Sequence, residues 1–356
     1  MRGGAFENGT SLALRYYAFR AGSWLAERLP LRLTDVVANV AGRVAFRFAR
    51  PPRRAIVARN MARVATADLV SAAYLSYARY WLETLRLGRY SRQDLLDMVE
   101  AVNVEIVDAA VAARTGLLVV LPHFGFYDLL GAWAGANDYP LTTVAEVLKP
   151  RPLFDWFASI RERRGIRILP ASPGAQTLRG LLKVLQRGDI VALVADRDLS
   201  RRGIWVDYFG ERTTAPVGPA LLAARTGVPL ASVALYQTGP ERFRCEVAEI
   251  PYERTGDESA DLSAIAQQIA TAIEEVIRKA PEQYHLFSTN WPSDEPDLPP
   301  RGRGRPPPDA PAAPPETPGG ASGPAPGETG RTPAETPGGA SGPAPGETSG
   351  ETPVGP

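Results

Sequence analysis

Two side chains near residue 125 have the types and the spacing of a general-base pair. His123 follows the apolar run LLVVL and Pro122, and Asp128 lies five positions further along the chain. A histidine has a reference pKa of about 6.5, so its imidazole can take a proton from a hydroxyl group that attacks a carbonyl. A carboxylate that turns back onto the ring fixes its tautomer and stabilises the imidazolium. With a helix that begins near Phe124, this spacing predicts that Asp128 reaches His123.

The spacing is short, so a core or helix-capping histidine at this position is an equally open interpretation. Gly125 lies between the two residues and gives the backbone room to approach a substrate. A metal site is disfavoured because the chain has only two histidines and one cysteine, and its acidic residues are scattered. The sequence therefore predicts neither a metal nor another cofactor.

The elements that must position these residues form an alternating series after residue 100. Strands are predicted at 102–106, 117–121, 141–145, 166–169, 190–195, 229–236 and 243–249. Helices are predicted at 126–136, 152–164, 174–187 and 217–226, followed by a last helix at 260–279. This alternation indicates an α/β fold with a mixed, partly parallel central sheet flanked by helices. His123 then lies at the carboxyl end of a strand, where ligands bind in such sheets.

The amino-terminal segment is basic and helical. Residues 1–60 carry eleven arginines against three acids, although the whole chain has a net charge of only +1. Helices are predicted at 10–29, 32–50, 53–65 and 69–88, and the first three form a basic amphipathic region over residues 10–65. On the first helix the predicted apolar face consists of Leu12, Tyr16, Phe19 and Leu25. Aromatic residues flanked by arginine are typical of a helix that lies on an anionic membrane surface, and a helix packed on the core is the alternative.

A nucleic-acid partner is the other class that a basic segment suggests. The aromatic residues lie on one helical face, and the chain contains no nucleic-acid-binding motif. We therefore expect no nucleic acid among its partners. No apolar run reaches 18 residues, and the start does not have the pattern of a secretory signal. These features predict a peripheral protein on the cytoplasmic face of the inner membrane.

The carboxyl-terminal segment has a composition unlike the rest of the chain. Residues 299–356 hold 17 of the 34 prolines and no aromatic residue, and the segment ETPGGASGPAPGET occurs in them twice. Such a segment cannot bury enough apolar surface to offset the entropy of ordering. The sequence therefore predicts a folded domain over residues 1–298 and a disordered, Pro/Gly-rich tail over 299–356.

Four sequence blocks along the chain carry a resemblance to a known family. They are LPHFGFYDLLG, RPLFDWFASIRERRGI, VADRDLSRRGIWVDYFGERTTAPVGPALLAARTG and PEQYHLF. Together they resemble the HxxxxD acyltransferases of the bacterial lipid A type, a branch of the glycerophosphate acyltransferase superfamily. The third block is most similar to the actinobacterial phosphatidylinositol mannoside acyltransferases. The resemblance covers roughly residues 10–292.

The resemblance implies transfer of an acyl group from acyl-CoA to a phosphatidylinositol mannoside or a related glycolipid. His123 is then the base and Asp128 its partner, while Arg161 holds the acyl donor or an acceptor phosphate. A further active-site acid is expected in the third block, with Asp196 as the first choice and Glu211 as the second. The remaining predicted substrate contacts are Gly125, Phe126, Lys149, Arg164 and Arg197.

Two alternatives to this function stay open on the sequence alone. One is an acyltransferase for another lipid acceptor, such as a lysophospholipid or a lipid A-like glycolipid. The other is a non-catalytic membrane-binding protein with the same fold. The presence of both His123 and Asp128 favours catalysis.

Overall fold

A computed structural model of the chain describes residues 9–172, 175–200 and 202–294. Its helices are α1 (Gly9–Arg28), α2 (Leu31–Phe48), α3 (Pro51–Val64), α4 (Val70–Arg86), α5 (Arg92–Asp97), α6 (Glu105–Ala113), α7 (Tyr127–Ala136), α8 (Arg151–Glu162), α9 (Gln176–Gln186), α10 (Val217–Thr226) and α11 (Glu258–Lys279). Its strands are β1 (Val99–Val102), β2 (Leu117–Leu121), β3 (Leu141–Ala145), β4 (Arg167–Pro170), β5 (Ile190–Val194), β6 (Ile204–Tyr208), β7 (Glu211–Ala215), β8 (Leu230–Gly239) and β9 (Arg242–Glu249).

Seven of these strands form one mixed sheet. Its order is β1-β9-β8-β2-β5-β3-β4, and only the β8–β9 pair is antiparallel. The strands β6 and β7 form a separate antiparallel hairpin. The predicted fold class, an α/β domain with a partly parallel sheet, is confirmed.

Helices cover both faces of the sheet, and β2 lies between them. Leu118 and Val120 belong to a core shared with α9, α10 and α11, whereas Leu117, Val119 and Leu121 face the core beneath α6 and α7. Successive side chains of a strand point to opposite faces, so a strand buried on both sides must be apolar throughout. The run LLVVL meets that requirement, and its strand ends directly before His123.

One predicted strand is wrong. Residues 102–106 were expected to form a strand, but β1 ends at Val102 and α6 begins at Glu105. The alternating apolar pattern of VNVEI continues into a helix whose buried positions, Val107 and Ala110, are three residues apart. A segment this short does not distinguish the two periods. The helix α5 was not predicted.

The tail lies outside the described residues. The predicted boundary at residue 298 and the predicted disorder of 299–356 therefore remain predictions. None of the described helices combines the length and the apolar character needed to cross a bilayer.

The helices α1 and α2 carry exposed apolar side chains among exposed arginines. Phe19 of the predicted face turns inward, and its ring contacts Trp81 and Phe157, while Leu12 and Tyr16 are half-buried. Leu25, the fourth member, lies on the exposed side instead. The exposed large apolar side chains of these two helices are Leu14, Tyr17, Trp24, Leu25, Leu33, Val36, Val37, Val40, Val44 and Phe48. These exposed side chains form the apolar stripes of the two helices, and the membrane-facing role predicted for residues 10–65 stays a prediction.

Candidate active site

The backbone around His123 is held by the segment that follows α11. The N–H of His285 donates to the His123 carbonyl at 2.8 Å, and the N–H of Gly125 donates to the Gln283 carbonyl at 2.8 Å. These two bonds fix the loop that leaves β2 on both sides of Phe124, directly after the histidine. The His123 side chain remains 27% exposed, so its ring is accessible from the space above the sheet edge.

Gly125 and Phe126 have structural positions that differ from the expected substrate contacts. Gly125 has a φ of +56°, and a Cβ atom built there would lie 2.2 Å from the Leu235 carbonyl oxygen. The close approach to β8 therefore requires a glycine here, and its role as a substrate contact stays a prediction. Phe126 is 1% exposed, and its ring packs edge-on against Phe243. Phe126 belongs to the core beneath α7.

Asp196 is the acid that contacts His123. In the parallel pair β2–β5, Leu121 lies opposite Val194, so the residues two positions further along each strand also come together. The Asp196 Oδ1 atom lies 2.7 Å from His123 Nδ1. A carboxylate only accepts, so Nδ1 carries the proton and Nε2 is left as a proton acceptor. This is the arrangement that a general-base histidine requires.

The charge of Asp196 is maintained by its neighbours. Burial tends to raise the pKa of this carboxyl group, but the hydrogen bond and charge of His123, together with Arg197, lower it below its ordinary value. The Asp196 carbonyl also accepts from Asn290 Nδ2 at 3.2 Å. Arg197, a predicted substrate contact, donates to Ser288 Oγ at 3.0 Å. Arg197 therefore acts on the pair electrostatically from the adjacent position.

Asp128 is not hydrogen-bonded to His123, and the expected dyad is corrected in this respect. Arg161 donates to Asp128 through Nε at 2.8 Å and Nη2 at 3.1 Å. The hydroxyl groups of Tyr80 and Thr84 lie 2.9 and 3.3 Å from Asp128 Oδ2. Asp128 thus anchors the arginine that sequence analysis assigned to the site.

The reason lies in where the helix begins. α7 begins at Tyr127 and not near Phe124, so Asp128 is in the first turn of the helix with its side chain directed toward α4 and α8. Sequence analysis also missed Tyr80, Thr84 and Tyr127. Tyr80 and Thr84 are polar residues four apart on α4, which places them on one face of the helix. This spacing of four was the sequence signal from which a polar face on α4 could have been predicted.

An apolar cavity of about 300 Å³ opens beside this pair. His123, Asp128 and Arg161 line its polar end, together with Glu146 at the end of β3. Beyond them the walls are apolar side chains of the sheet on one side and of α7 on the other. Among these are Leu121, Leu130, Ile168, Val194, Val233 and Val247. A long hydrocarbon chain fits such a space, and its polar end would lie at His123.

Glu211 and Arg164 also lie outside this cavity. Glu211 is bound by Arg63 Nε at 2.9 Å and by Ser293. Arg164 donates to the carbonyl groups of Leu87 and Gly88 at 2.8 and 2.9 Å. The structure places both in contacts that connect helices and turns, so neither joins the predicted site.

Lys149 lies in the exposed loop after β3, three residues beyond Glu146. That position leaves its expected role as a substrate contact open.

Replacement of Asp128 with asparagine is expected to destabilise the fold. The substitution leaves Arg161, whose side chain is 22% exposed, without its anion. Removing one partner of a largely buried pair typically costs about 3–5 kcal/mol, and the partial exposure places the expected loss near 3 kcal/mol. The measurement is urea unfolding. Asp155→Asn is the matched control, since Asp155 pairs with Arg151 on α8 and both side chains are more than half exposed. It should change stability by less than about 1 kcal/mol. Equal effects of the two substitutions would contradict this account.

His285 should make the stability of the protein depend on pH. Burial and the nearby His123 lower the pKa of His285 to about 3, and its Nε2 atom lies 3.0 Å from Ser76 Oγ. The unfolded chain binds this proton near pH 6.5, so the free energy of unfolding falls as pH decreases from about 6.5 toward 3. The slope contributed is at most roughly 1.4 kcal/mol per pH unit. His285→Gln should flatten the curve between pH 6.5 and 4.5 in urea titrations, and an unchanged slope would show that His285 is protonated in the folded state.

Most of the chain is similar to known acyltransferases. Residues 8–293 match the family model of the bacterial lipid A biosynthesis acyltransferases. The chain is 33% identical over 284 residues to a phosphatidylinositol mannoside acyltransferase of Mycolicibacterium smegmatis, covering 78% of this chain and 91% of that protein. It is 35% identical over 289 residues to a protein of the same name from Mycobacterium tuberculosis, covering 78% and 89%. A lipid A biosynthesis lauroyltransferase of Escherichia coli is 24% identical over 274 residues, covering 73% and 86%.

Proposed function

Because this chain belongs to the bacterial lipid A biosynthesis acyltransferase family, we propose that it moves a fatty acyl group from acyl-CoA to a mannose hydroxyl of a phosphatidylinositol mannoside. The acyltransferase activity follows from the family and from the curated relatives. The observation that supports acyl transfer at this site is the apolar cavity with His123 at its polar end, where Asp196 holds the imidazole ring. The names of the mycobacterial relatives support the choice of acceptor.

In the proposed reaction, His123 Nε2 removes the proton of the acceptor hydroxyl as its oxygen attacks the thioester carbonyl. Asp196 holds the ring and stabilises the imidazolium that forms. The tetrahedral intermediate then collapses, the carbon–sulfur bond breaks, and the CoA thiolate takes the proton from His123. The acyl group passes directly to the acceptor oxygen, so no acyl-enzyme and no further cofactor are required.

The developing oxyanion needs a hydrogen-bond donor, and Arg161 is the candidate. Its Nε and Nη2 atoms are bound to Asp128, whereas its Nη1 atom makes no hydrogen bond with the described residues. The guanidinium group lines the polar end of the cavity. Asp128 holds the planar group in one orientation, which is how a preorganised donor is built. We assign Asp128 to this positioning role.

The outward apolar stripes of α1 and α2 support a peripheral position on the cytoplasmic face of the inner membrane. On α2 the stripe runs from Leu33 to Phe48, while the opposite side packs on α4, where Gly42 approaches the Leu75 backbone. Arg32, Arg43 and Arg47 are exposed on the same helix. Apolar residues combined with arginine suit an anionic bilayer surface, which would bring a lipid acceptor to the enzyme.

Two aspartates in the α2 stripe should weaken membrane binding. We expect Val40→Asp with Val44→Asp to lower partition onto anionic phospholipid vesicles by about tenfold or more, because each charge would enter the interface. Sedimentation with vesicles measures this. Ala109→Asp with Ala112→Asp adds the same charge on the exposed side of α6 and should leave partition nearly unchanged. Equal losses for both pairs would indicate attraction by net charge alone.

The activity itself is tested with purified protein, radiolabelled acyl-CoA and a panel of lipid acceptors. We expect acylated mannoside as the main product. Preferred acylation of a lysophospholipid or a lipid A-like glycolipid would select the alternative acceptor class. Vesicle binding without consumption of acyl-CoA would select the non-catalytic alternative. Lipid extracts of a deletion strain give an independent check, since normal acylated mannosides would reject the proposed acceptor.

A further inference from the structure

Phe157 of α8 contacts the arginine that lines the polar end of the cavity. The guanidinium carbon of Arg161 lies over the Phe157 ring, 5.7 Å from its centroid. An aromatic face attracts a cation within about 6 Å. Asp128 already binds Arg161 through Nε and Nη2, which restrains one edge of the planar group. The ring therefore adds a contact that the carboxylate does not supply.

The Phe157 ring is itself packed by α1 and α4. Its centroid lies 5.4 Å from that of Phe19 and 6.4 Å from that of Trp81. The Phe19 and Trp81 centroids are 5.9 Å apart. These three rings, Phe19, Trp81 and Phe157, form an aromatic cluster, and Phe157 is only 6% exposed. Because side chains in a packed interior have little room to move, the place of the Phe157 ring depends on its neighbours.

The inward face of α1 begins at this cluster. Phe19, Ser23 and Ala26 follow one another at spacings of four and three, as residues on one face of a helix do. Ser23 Oγ donates to the Leu85 carbonyl at 2.7 Å, and Ala26 is 5% exposed. None of these three residues is among the exposed large apolar side chains of α1. Contact with the enzyme body and the outward stripe therefore involve different residues of the same helix.

We propose that the aromatic cluster positions the Arg161 guanidinium group for the oxyanion, so that α1 supports the active site in addition to its membrane contact. Phe157 contacts Arg161, and Phe19 of α1 holds the Phe157 ring. No ring of the cluster lines the described cavity. Its members are therefore positioning residues that act through Arg161. This inference rests on the proposed acyl transfer.

Replacement of Phe157 with leucine tests the contact with Arg161. We expect kcat to fall about 3–30-fold, the range of a cation–aromatic contact, with KM for acyl-CoA nearly unchanged. Phe154→Leu is the matched control. Phe154 is also 6% exposed on α8 and lies under a different cation, Arg151, at 5.1 Å. Both variants lose a buried ring and should lower the urea midpoint alike, but Phe154→Leu should keep kcat near wild type. Equal losses of kcat would overturn the proposal.

Ring fluorination at position 157 separates the electrostatic contact from packing. Fluorine withdraws charge from the aromatic face and changes its shape little, so it weakens the attraction for a cation. With one, two and three fluorines on Phe157, kcat should fall stepwise, whereas the same series at Phe154 should be flat. A flat series at Phe157 would show that the ring only fills space.

Phe19→Leu tests the contribution of α1. We expect kcat to fall about 2–10-fold, the range of an aromatic pair, because the Phe157 ring loses its neighbour. Partition onto anionic vesicles should match wild type, since Phe19 is not part of the outward stripe. Weaker partition with an unchanged kcat would show that α1 serves the membrane alone.

Exchange of the Arg161 Nε–H proton with water, followed by ¹⁵N NMR, reports the same contact without any substrate. Phe157→Leu and Phe19→Leu should speed this exchange, and Phe154→Leu should not. If wild type acylates no lipid acceptor while these differences are present, acyl transfer is refuted and the positioning of Arg161 stands. Unchanged exchange in Phe157→Leu would overturn the positioning role, whatever the acyl-transfer rates.

Discussion

Replacement of His123 with alanine is expected to lower kcat for acyl transfer by about 10³-fold. The imidazole is the only group at the polar end of the described cavity that has a proton-accepting nitrogen held toward it by a carboxylate. General-base catalysis contributes about 10²–10⁴-fold, so the loss should fall within that range. The measurement is single-turnover transfer from acyl-CoA to the glycolipid, with KM for both substrates recorded.

The same variant separates catalysis from membrane binding. His123 is not one of the exposed apolar side chains of α1 and α2, so vesicle partition should match wild type closely. The urea midpoint should fall, because the buried Asp196 carboxylate loses its partner. Added imidazole should restore part of the lost rate, since it can enter the space left by the side chain. Transfer within a few-fold of wild type would refute the general-base mechanism, whatever the binding data show.

Replacement of Asp196 with asparagine is the second large effect, and we expect kcat to fall about 10²–10³-fold with little change in KM. The carboxylate holds the proton on Nδ1 and stabilises the imidazolium, and an amide does neither with the same geometry. Asp196→Glu should keep part of the activity because the charge remains, although the longer side chain must fit a buried position.

Glu211→Gln is the matched control for this prediction. Sequence analysis left Glu211 as the alternative acid, yet its carboxylate is bound by Arg63 and Ser293 and does not line the cavity. We expect its kcat to stay within about threefold of wild type, with a modest loss of stability, because the contact is partly exposed. If Glu211→Gln lost activity and Asp196→Asn kept it, the assignment of the orienting acid would be wrong.

Much of the fold was predictable because its signals are local. The run LLVVL and the segment at 190–195 are apolar throughout, as strands buried on both faces must be. The helices at 126–136 and 217–226 were predicted within one residue of α7 and α10. The segment at 102–106 failed because five residues cannot separate a period of 2 from a period of 3.6.

The candidate site was predictable only in part. The sequence identified the four residues of the site, which are His123, Asp128, Arg161 and Asp196. Their pairing was not identified, because Asp128 was assigned to His123 from a spacing of five. Asp128 lies in the first turn of α7, where its carboxylate is directed toward Arg161.

The sequence by itself determined the family, the α/β alternation and the position of His123 at a strand end. The tertiary structure decided which acid serves it. Asp196 is 73 residues from His123 in the chain, and the two meet because β2 and β5 are parallel neighbours with Leu121 opposite Val194. Strand order and register are set by the packing of the whole sheet, and no local pattern in the chain records them. The same holds for the apolar cavity, whose walls come from strands that are distant in sequence.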